Sequence, residues 1–305
     1  MKLPFLGPVV PPHVFCVQAE GVTYAQVRLT PPAGIAQSRF FQFPAGTIGP
    51  TPAGTPRLTR EAVAESVEAA RRLAGGRLTR ASVVFPDAWA RILPIEFDSL
   101  PDSADAVSSM ASWKLKKLLP GVTVEMAVVH REMPPAGEGR RLLVAAAPAE
   151  TLRSIETAFE ATGVRVGSLV PESLALFEGL GPQLDQRARG DWALVHRSHG
   201  AFVFAISSKG RPAFFRQRPA SEEAADHDQE IRLSLSYYAE KLKGPGLSAV
   251  YVHDSVAGPG LAEASFPVPP VPLSSRLFDA DAALDERVAA RPELLAGFAA
   301  VYGRA

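Results

Sequence analysis

Residues able to do chemistry gather at a few points of this 305-residue chain, and none of the clusters is complete. His196-Arg197-Ser198-His199 places two histidines three residues apart in what reads as a tight polar turn closed by Gly200. A metal such as zinc needs three or four converging His, Cys or carboxylate ligands. Histidines so spaced in a turn do not share a face as helical i, i+4 ligands do, so surface turn residues are the expectation. Cys16, the only cysteine, would need a histidine partner in an electropositive pocket to act as a nucleophile. It sits in an apolar run and reads as a buried, inert thiol. Glu20 and Asp254 could pair for general acid–base work; with Asp191 they are the candidates to hold magnesium beside a phosphate. Gly244-Pro245-Gly246 and Gly258-Pro259-Gly260 look phosphate-friendly, but proline removes an N–H and a helix C-cap suffices to explain them.

The elements that must position these residues alternate between strand and helix patterns. Val14–Val17 and Val22–Leu29 read as strands around an Ala19-Glu20-Gly21 turn. Thr59 reads as the N-cap of a helix running to about Leu73, ended by Gly75-Gly76. Ala81–Phe85 is a short apolar strand stopped by Pro86, and Arg91–Phe97 an edge strand because Pro94 interrupts it. A helix from about Ser103 to Leu118 follows, then strands Val122–Val129 and Arg141–Ala147, a helix Ala149–Thr162, strand Val164–Val170 and helix Glu172–Leu180. Trp192–Pro219 is a meander: runs Trp192–Val195, Ala201–Ile206 and Ala213–Phe215 are separated by Gly-containing turns. Asp228–Lys243 is the clearest helix, with Ile231, Leu235, Tyr238 and Leu242 on one face. Ala249–His253 reads as a strand, Pro267–Pro272 as extended, and Pro292–Tyr302 as a terminal helix. The class is α/β.

Composition narrows the function classes. Lys+Arg and Asp+Glu are equal at 32 each, so the basic footprint of a general nucleic-acid binder is missing. With 47% hydrophobic residues the chain can bury a large core. No apolar run approaches the ~20 residues that span a bilayer. Lys114, Lys116 and Lys117, with Arg80 and Arg91, could face anionic lipid, but helix-end lysines also complement the helix dipole and stay solvated.

Four stretches, in order, carry a resemblance to a known family. Val83-Val84-Phe85-Pro86-Asp87-Ala88-Trp89-Ala90-Arg91, with Leu93-Pro94 and Leu100-Pro101, resembles a strand entering an inserted subdomain. Trp113-Lys114-Leu115-Lys116-Lys117-Leu118-Leu119-Pro120 is similar to that family's helix end, Gln229–Tyr238 to its Glu-Ile-x-Arg-Ser-Leu-x-Tyr-Tyr, and Pro292–Ala300 to its C-terminal helix. The family is that of the PilM-type type IV pilus assembly proteins, actin-like and FtsA-related, with the type II secretion L protein's cytoplasmic domain as a close relative. The resemblance spans about residues 13 to 302.

What it implies is an actin-like (ribonuclease H-like) two-lobe fold with an inserted subdomain in the first lobe and a reduced second lobe. The implied boundaries are a leader at 1–12, a first-lobe core at 13–86 and the insertion at 87–167. A connection at 168–190, the second lobe at 191–290 and a returning helix at 291–305 complete it. The implied role is a cytoplasmic, non-catalytic scaffold, peripheral to the inner membrane, that binds the N-terminal cytoplasmic tail of a PilN-like protein. Contacts with pilus ATPases or a platform protein, and self-association through the leader, are also compatible with it. The groove for the tail is expected at Ile92, Ile95, Phe97, Trp113 and Leu118; the same residues could instead fill the subdomain's own core. Alternatives are a type II secretion scaffold, or an ATPase or kinase with atypical loops.

The departures from the family bear on chemistry. Its Gly-x-Asp-x-Gly-like first hairpin is matched here by Cys16, Gln18 and Glu20, and the Asp-x-Gly of its second hairpin by His196 and Ser198. Its nucleoside loop Gly-Gly is His253-Asp254-Ser255, and only about ten residues separate Pro219 from the Gln229 helix, where a nucleotide roof is usual. Backbone cradling of phosphate needs glycine for close approach, and a glutamate beside it repels. No cofactor, metal or ATP turnover is expected.

Overall fold

The computed structural model describes residues 11–44, 47–50, 55–76, 78–119, 121–135, 137–221, 223–255 and 261–303. The leader, except Pro11 and Pro12, and the Gly258-Pro259-Gly260 turn lie outside these residues.

The chain opens with β1 (His13–Val17), β2 (Gly21–Arg28), β3 (Gly34–Gln42) and the two-residue strands β4 (Gly49–Pro50) and β5 (Pro56–Arg57). Helix α1 (Arg60–Leu73) follows. Thr59 caps it by accepting from the Ala62 N–H, and Gly75 and Gly76, at φ +63° and +83°, turn the chain out of it. Next come β6 (Arg80–Phe85), β7 (Arg91–Phe97), α2 (Ala104–Leu118), β8 (Met126–Met133), β9 (Arg140–Pro148), α3 (Ala149–Glu160), β10 (Arg165–Pro171), α4 (Glu172–Gly179) and α5 (Gly181–Ala188). The meander is β11 (Trp192–Ser198), β12 (Ala201–Ser208) and β13 (Arg211–Arg218). Then come α6 (Ala224–Glu240), β14 (Ala249–Asp254), β15 (Pro270–Pro272), α7 (Ala283–Ala290) and α8 (Glu293–Tyr302).

These elements divide into two units, each with its own core. The first comprises residues 1–86, 150–182 and 274–305. Its sheet has the order β10-β6-β1-β2-β3, with β1–β2–β3 antiparallel and β6 and β10 parallel additions. Phe15 packs between Tyr24 and Phe159, with ring centroids 5.2 and 4.9 Å away. Helix α8 lies close on β1 because residue 297 is glycine: a Cβ there would stand 2.6 Å from the Cys16 sulfur.

The second unit comprises residues 87–149 and 183–273. One sheet runs β13-β12-β11-β14-β15, the other β7-β9-β8. Central strand β11 is buried along its whole length, as a strand covered on both faces must be. Phe204, Phe214, Ile231 and Tyr238 fill the core between the large sheet and α6. The short strand β15 is Pro-Val-Pro and occupies an edge, where proline's missing N–H costs no ladder bond.

The α/β class and the meander agree with the reading of the sequence. The expected insertion to residue 167 is shorter: Arg165–Pro171 pairs in parallel with Arg80–Phe85 and belongs to the first unit's sheet. The Ser274–Ala305 segment likewise belongs to the first unit. Two short helices, α5 and α7, are additions the sequence pattern did not indicate.

Candidate functional site

In the first unit the β1–β2 hairpin carries the residues expected at a phosphate loop. The turn is closed by the Gln18 N–H donating to the Gly21 carbonyl at 2.8 Å. Gln18 is buried, and its amide donates to the Glu172 carboxylate at the start of α4. Glu20 is exposed. Thr23 Oγ1 donates to Glu293, whose carboxyl is pushed up by burial, an effect that the Thr23 hydrogen bond partly offsets. Cys16 is buried as expected, and burial together with nearby Glu293 and Glu172 pushes its thiol well up. A protonated, inaccessible thiol is no nucleophile.

The second hairpin differs from the reading of the sequence. His196, Arg197 and Ser198 are not turn residues: they complete β11 and are buried. The turn is His199-Gly200, with Gly200 at φ +85°. The reason lies in parallel pairing with β14, whose register sets His196 opposite His253 and Arg197 opposite Asp254. His196 Nδ1 and His253 Nδ1 are 3.0 Å apart with the rings stacked. One of those nitrogens must therefore carry a proton and the other must not. On its other side His196 Nε2 lies 3.4 Å from Oδ2 of the fully buried Asp87. Arg197 grips Asp254 with a two-pronged contact, Nε to Oδ1 at 3.0 Å and the second prong to Oδ2. Asp254 is thus engaged by Arg197, and Glu20 and Asp254 belong to different units. Asp191, the third candidate carboxylate, accepts from the Tyr238 hydroxyl; burial first, and then Asp191, pushes that phenol up.

Helix α6 begins six positions after β13 ends, so the polypeptide between meander and helix is as short as the sequence spacing indicated. Gln217 on β13 ties the second unit's two sheets together. Its Nε2 donates to the carbonyls of Asp87 and Ala90 at 2.7 and 3.2 Å, and its Oε1 accepts from the Ile92 N–H at 2.8 Å. No sequence signal marked Gln217 for this role.

The expected peptide wall separates into two sets. Ile92, Ile95 and Phe97 are 2%, 1% and 5% exposed and face the interior, Ile95 and Phe97 packing with Ala111 and Leu115. Trp113 and Leu118 are 56% and 49% exposed. Open apolar surface instead lies in a shallow groove between α2 and β8, lined by Leu115, Leu119, Val122, Val124, Met126 and Val128. Strand β8 pairs with β9 on one side only, leaving a free edge among the described residues. A wider depression of about 420 Å³ in the first unit combines the charged Arg57, Arg60, Arg153 and Glu150 with the apolar Leu58 and Ala158.

A solved chain of the PilM–PilN type IV pilus biogenesis complex superposes on this chain with a TM-score of 0.75. The two share a fold from end to end. The match covers 98% of this chain and 100% of the other at 16% identity. The cytoplasmic domain of EpsL, an inner-membrane component of the Vibrio cholerae type II secretion system, is similar with a TM-score of 0.52. That match has 11% identity over 89% of this chain and 94% of the domain. In sequence, no family model and no curated protein matches. The fold is therefore the actin-like one expected, and no helix of the described residues is long and apolar enough to cross a membrane.

Proposed function

We propose that this chain is a non-catalytic scaffold of a type IV pilus inner-membrane assembly, taking up the N-terminal cytoplasmic tail of a PilN-like membrane protein. The observation that carries this reading is the fold shared over essentially the whole of both chains with the PilM–PilN complex. The tail's seat is the α2–β8 groove and the open edge of β8. An extended peptide added to that edge gains main-chain hydrogen bonds and lays alternate side chains into the groove. The non-catalytic part is supported by the filling of both hairpins: Gln18 is committed to Glu172, and Arg197 to Asp254.

Calorimetric titration tests both parts. The N-terminal peptide of a co-encoded membrane partner is expected to bind, and Mg-ATP is expected to give no heat of binding. Val124→Glu, in the groove wall, is expected to weaken the peptide at least about tenfold without changing Tm, as a surface substitution should. Clear ATP affinity would overturn the non-catalytic reading; peptide affinity untouched by Val124→Glu would overturn the seat. The likeness to EpsL supports a second reading, a type II secretion scaffold of the same logic, which the neighbouring genes distinguish.

A further inference from the structure

Beyond peptide capture, we infer that the C-terminal end of α2 is a docking surface for an anionic lipid bilayer. The chain has equal numbers of basic and acidic residues, yet Ala106–Val124 holds three lysines and no carboxylate. At its end Trp113, Leu118 and Val122 are 56%, 49% and 37% exposed, although large apolar side chains are ordinarily buried. Lys116 and Lys117 are exposed beside them, and the Lys117 ammonium lies 3.8 Å from the Trp113 ring centroid. Lys114 is tied back to the Glu96 carbonyl and lies over the Phe97 ring, leaving Lys116 and Lys117 as the outward charges.

This combination selects a bilayer over a soluble acidic protein. An amphipathic indole flanked by aliphatic tips and long-stemmed lysines suits the headgroup boundary, where the ring and methyls enter and the ammonium groups stay with phosphate. The aliphatic tips would be wasted on a purely acidic partner. Anionic headgroups supply the complementary charge, and the attraction must fade with salt. The surface adjoins the α2–β8 groove, since Lys116 and Val122 line it. A membrane protein's tail seated in that groove would enter it close to the bilayer.

The test is co-sedimentation of the full chain with vesicles of phosphatidylcholine alone or with phosphatidylglycerol at about 30%, at low and high salt. Binding to the anionic vesicles only, reduced by salt, is expected. It should fall about tenfold or more in Lys116→Glu/Lys117→Glu and also fall in Trp113→Ser, with Tm unchanged in both. Lys241→Glu/Lys243→Glu, exposed just after the end of α6, makes the same change in net charge and should bind as the parent does. No binding to anionic vesicles, equal binding to neutral ones, or equal losses in the α2 variants and the control would each overturn the inference. The vesicles contain no protein, so this result stands or falls separately from the peptide titration.

Discussion

Gln217 shows how one side chain can hold two sheets in register. Its amide donates to the carbonyls of Asp87 and Ala90 and accepts from the Ile92 N–H. Gln217→Ala takes the partner from the Ile92 N–H, while the Asp87 carbonyl keeps the Ala90 N–H and the Ala90 carbonyl keeps the Arg91 guanidinium. The expected cost is about 1–3 kcal/mol in unfolding free energy, set by the one orphaned donor. Gln217→Glu keeps the acceptor for Ile92 but sets a carboxylate against two carbonyls, so it should lose at least as much at neutral pH. Denaturant unfolding of the two variants measures both. A second residue-scale prediction concerns Glu293. Its carboxyl is raised by burial, so the folded state holds a proton that the unfolded state has released, and stability falls as pH rises above the ordinary carboxyl value near 4.5. Glu293→Gln retains an acceptor for Thr23 and should raise Tm at pH 7.5, with the gain vanishing near pH 4. The opposite limb belongs to His13 and His227, both pushed down by burial. Their neutral forms are native, so stability falls as pH drops below about 6.5, where the unfolded chain takes up the protons. The two limbs oppose each other between about pH 4.5 and 6.5, so a pH-resolved melting series should show a shallow dip in Tm there, and Glu293→Gln should leave only the rise with pH that the histidines give.

At the scale of elements, the hairpin β11–β12 turns on Gly200. Its φ of +85°, and the 3.1 Å that would separate an added Cβ from the Ala88 Cβ, leave little room for any other residue. Gly200→Ala is expected to cost roughly 1–2 kcal/mol, read as a lowered midpoint in urea. The same glycine was the legible signal for where the strand stops. A two-residue turn that needs a left-handed position places the corner at His199-Gly200, which keeps His196–Ser198 inside the strand. Polarity pointed the other way, because a run of His, Arg and Ser reads as solvent-facing. What inverts it is the partner strand 57 residues later, and such parallel pairing is invisible to local periodicity. Helix α2 divides in the same manner. Its apolar spacing was legible, but which apolar residues face inward was not, since Leu115 is buried and Leu118 is not. Leu115→Ala should cost about 2–5 kcal/mol, and Leu118→Ala about 0.5 kcal/mol or less. Thermal melts of the pair check the assignment of faces.

For the whole molecule, the proposed non-catalytic role can be tested by substitutions that would put the family's aspartates and glycines into the two hairpins. In each unit the hairpin residue at that position is part of the packing around it. Gln18 holds Glu172 in the first unit. In the second, His196 stands between Asp87 and His253, with Arg197 locked to Asp254 one residue on. Restoring an aspartate by His196→Asp would set a second buried carboxylate beside Asp87 and strip His253 of its ring partner. A second carboxylate without a counter-charge in a buried site is strongly unfavourable. Gln18→Asp shortens the side chain that donates to Glu172 and replaces its N–H with negative charge. The combined variant Gln18→Asp/Glu20→Gly/His196→Asp/Ser198→Gly is therefore expected to melt well below the parent and to give no heat with Mg-ATP. If it melted like the parent and bound nucleotide, the surrounding residues would still be arranged for phosphate, and the chain would differ from a nucleotide-binding protein in its loops alone. The expected outcome instead places the difference in the cores of both units.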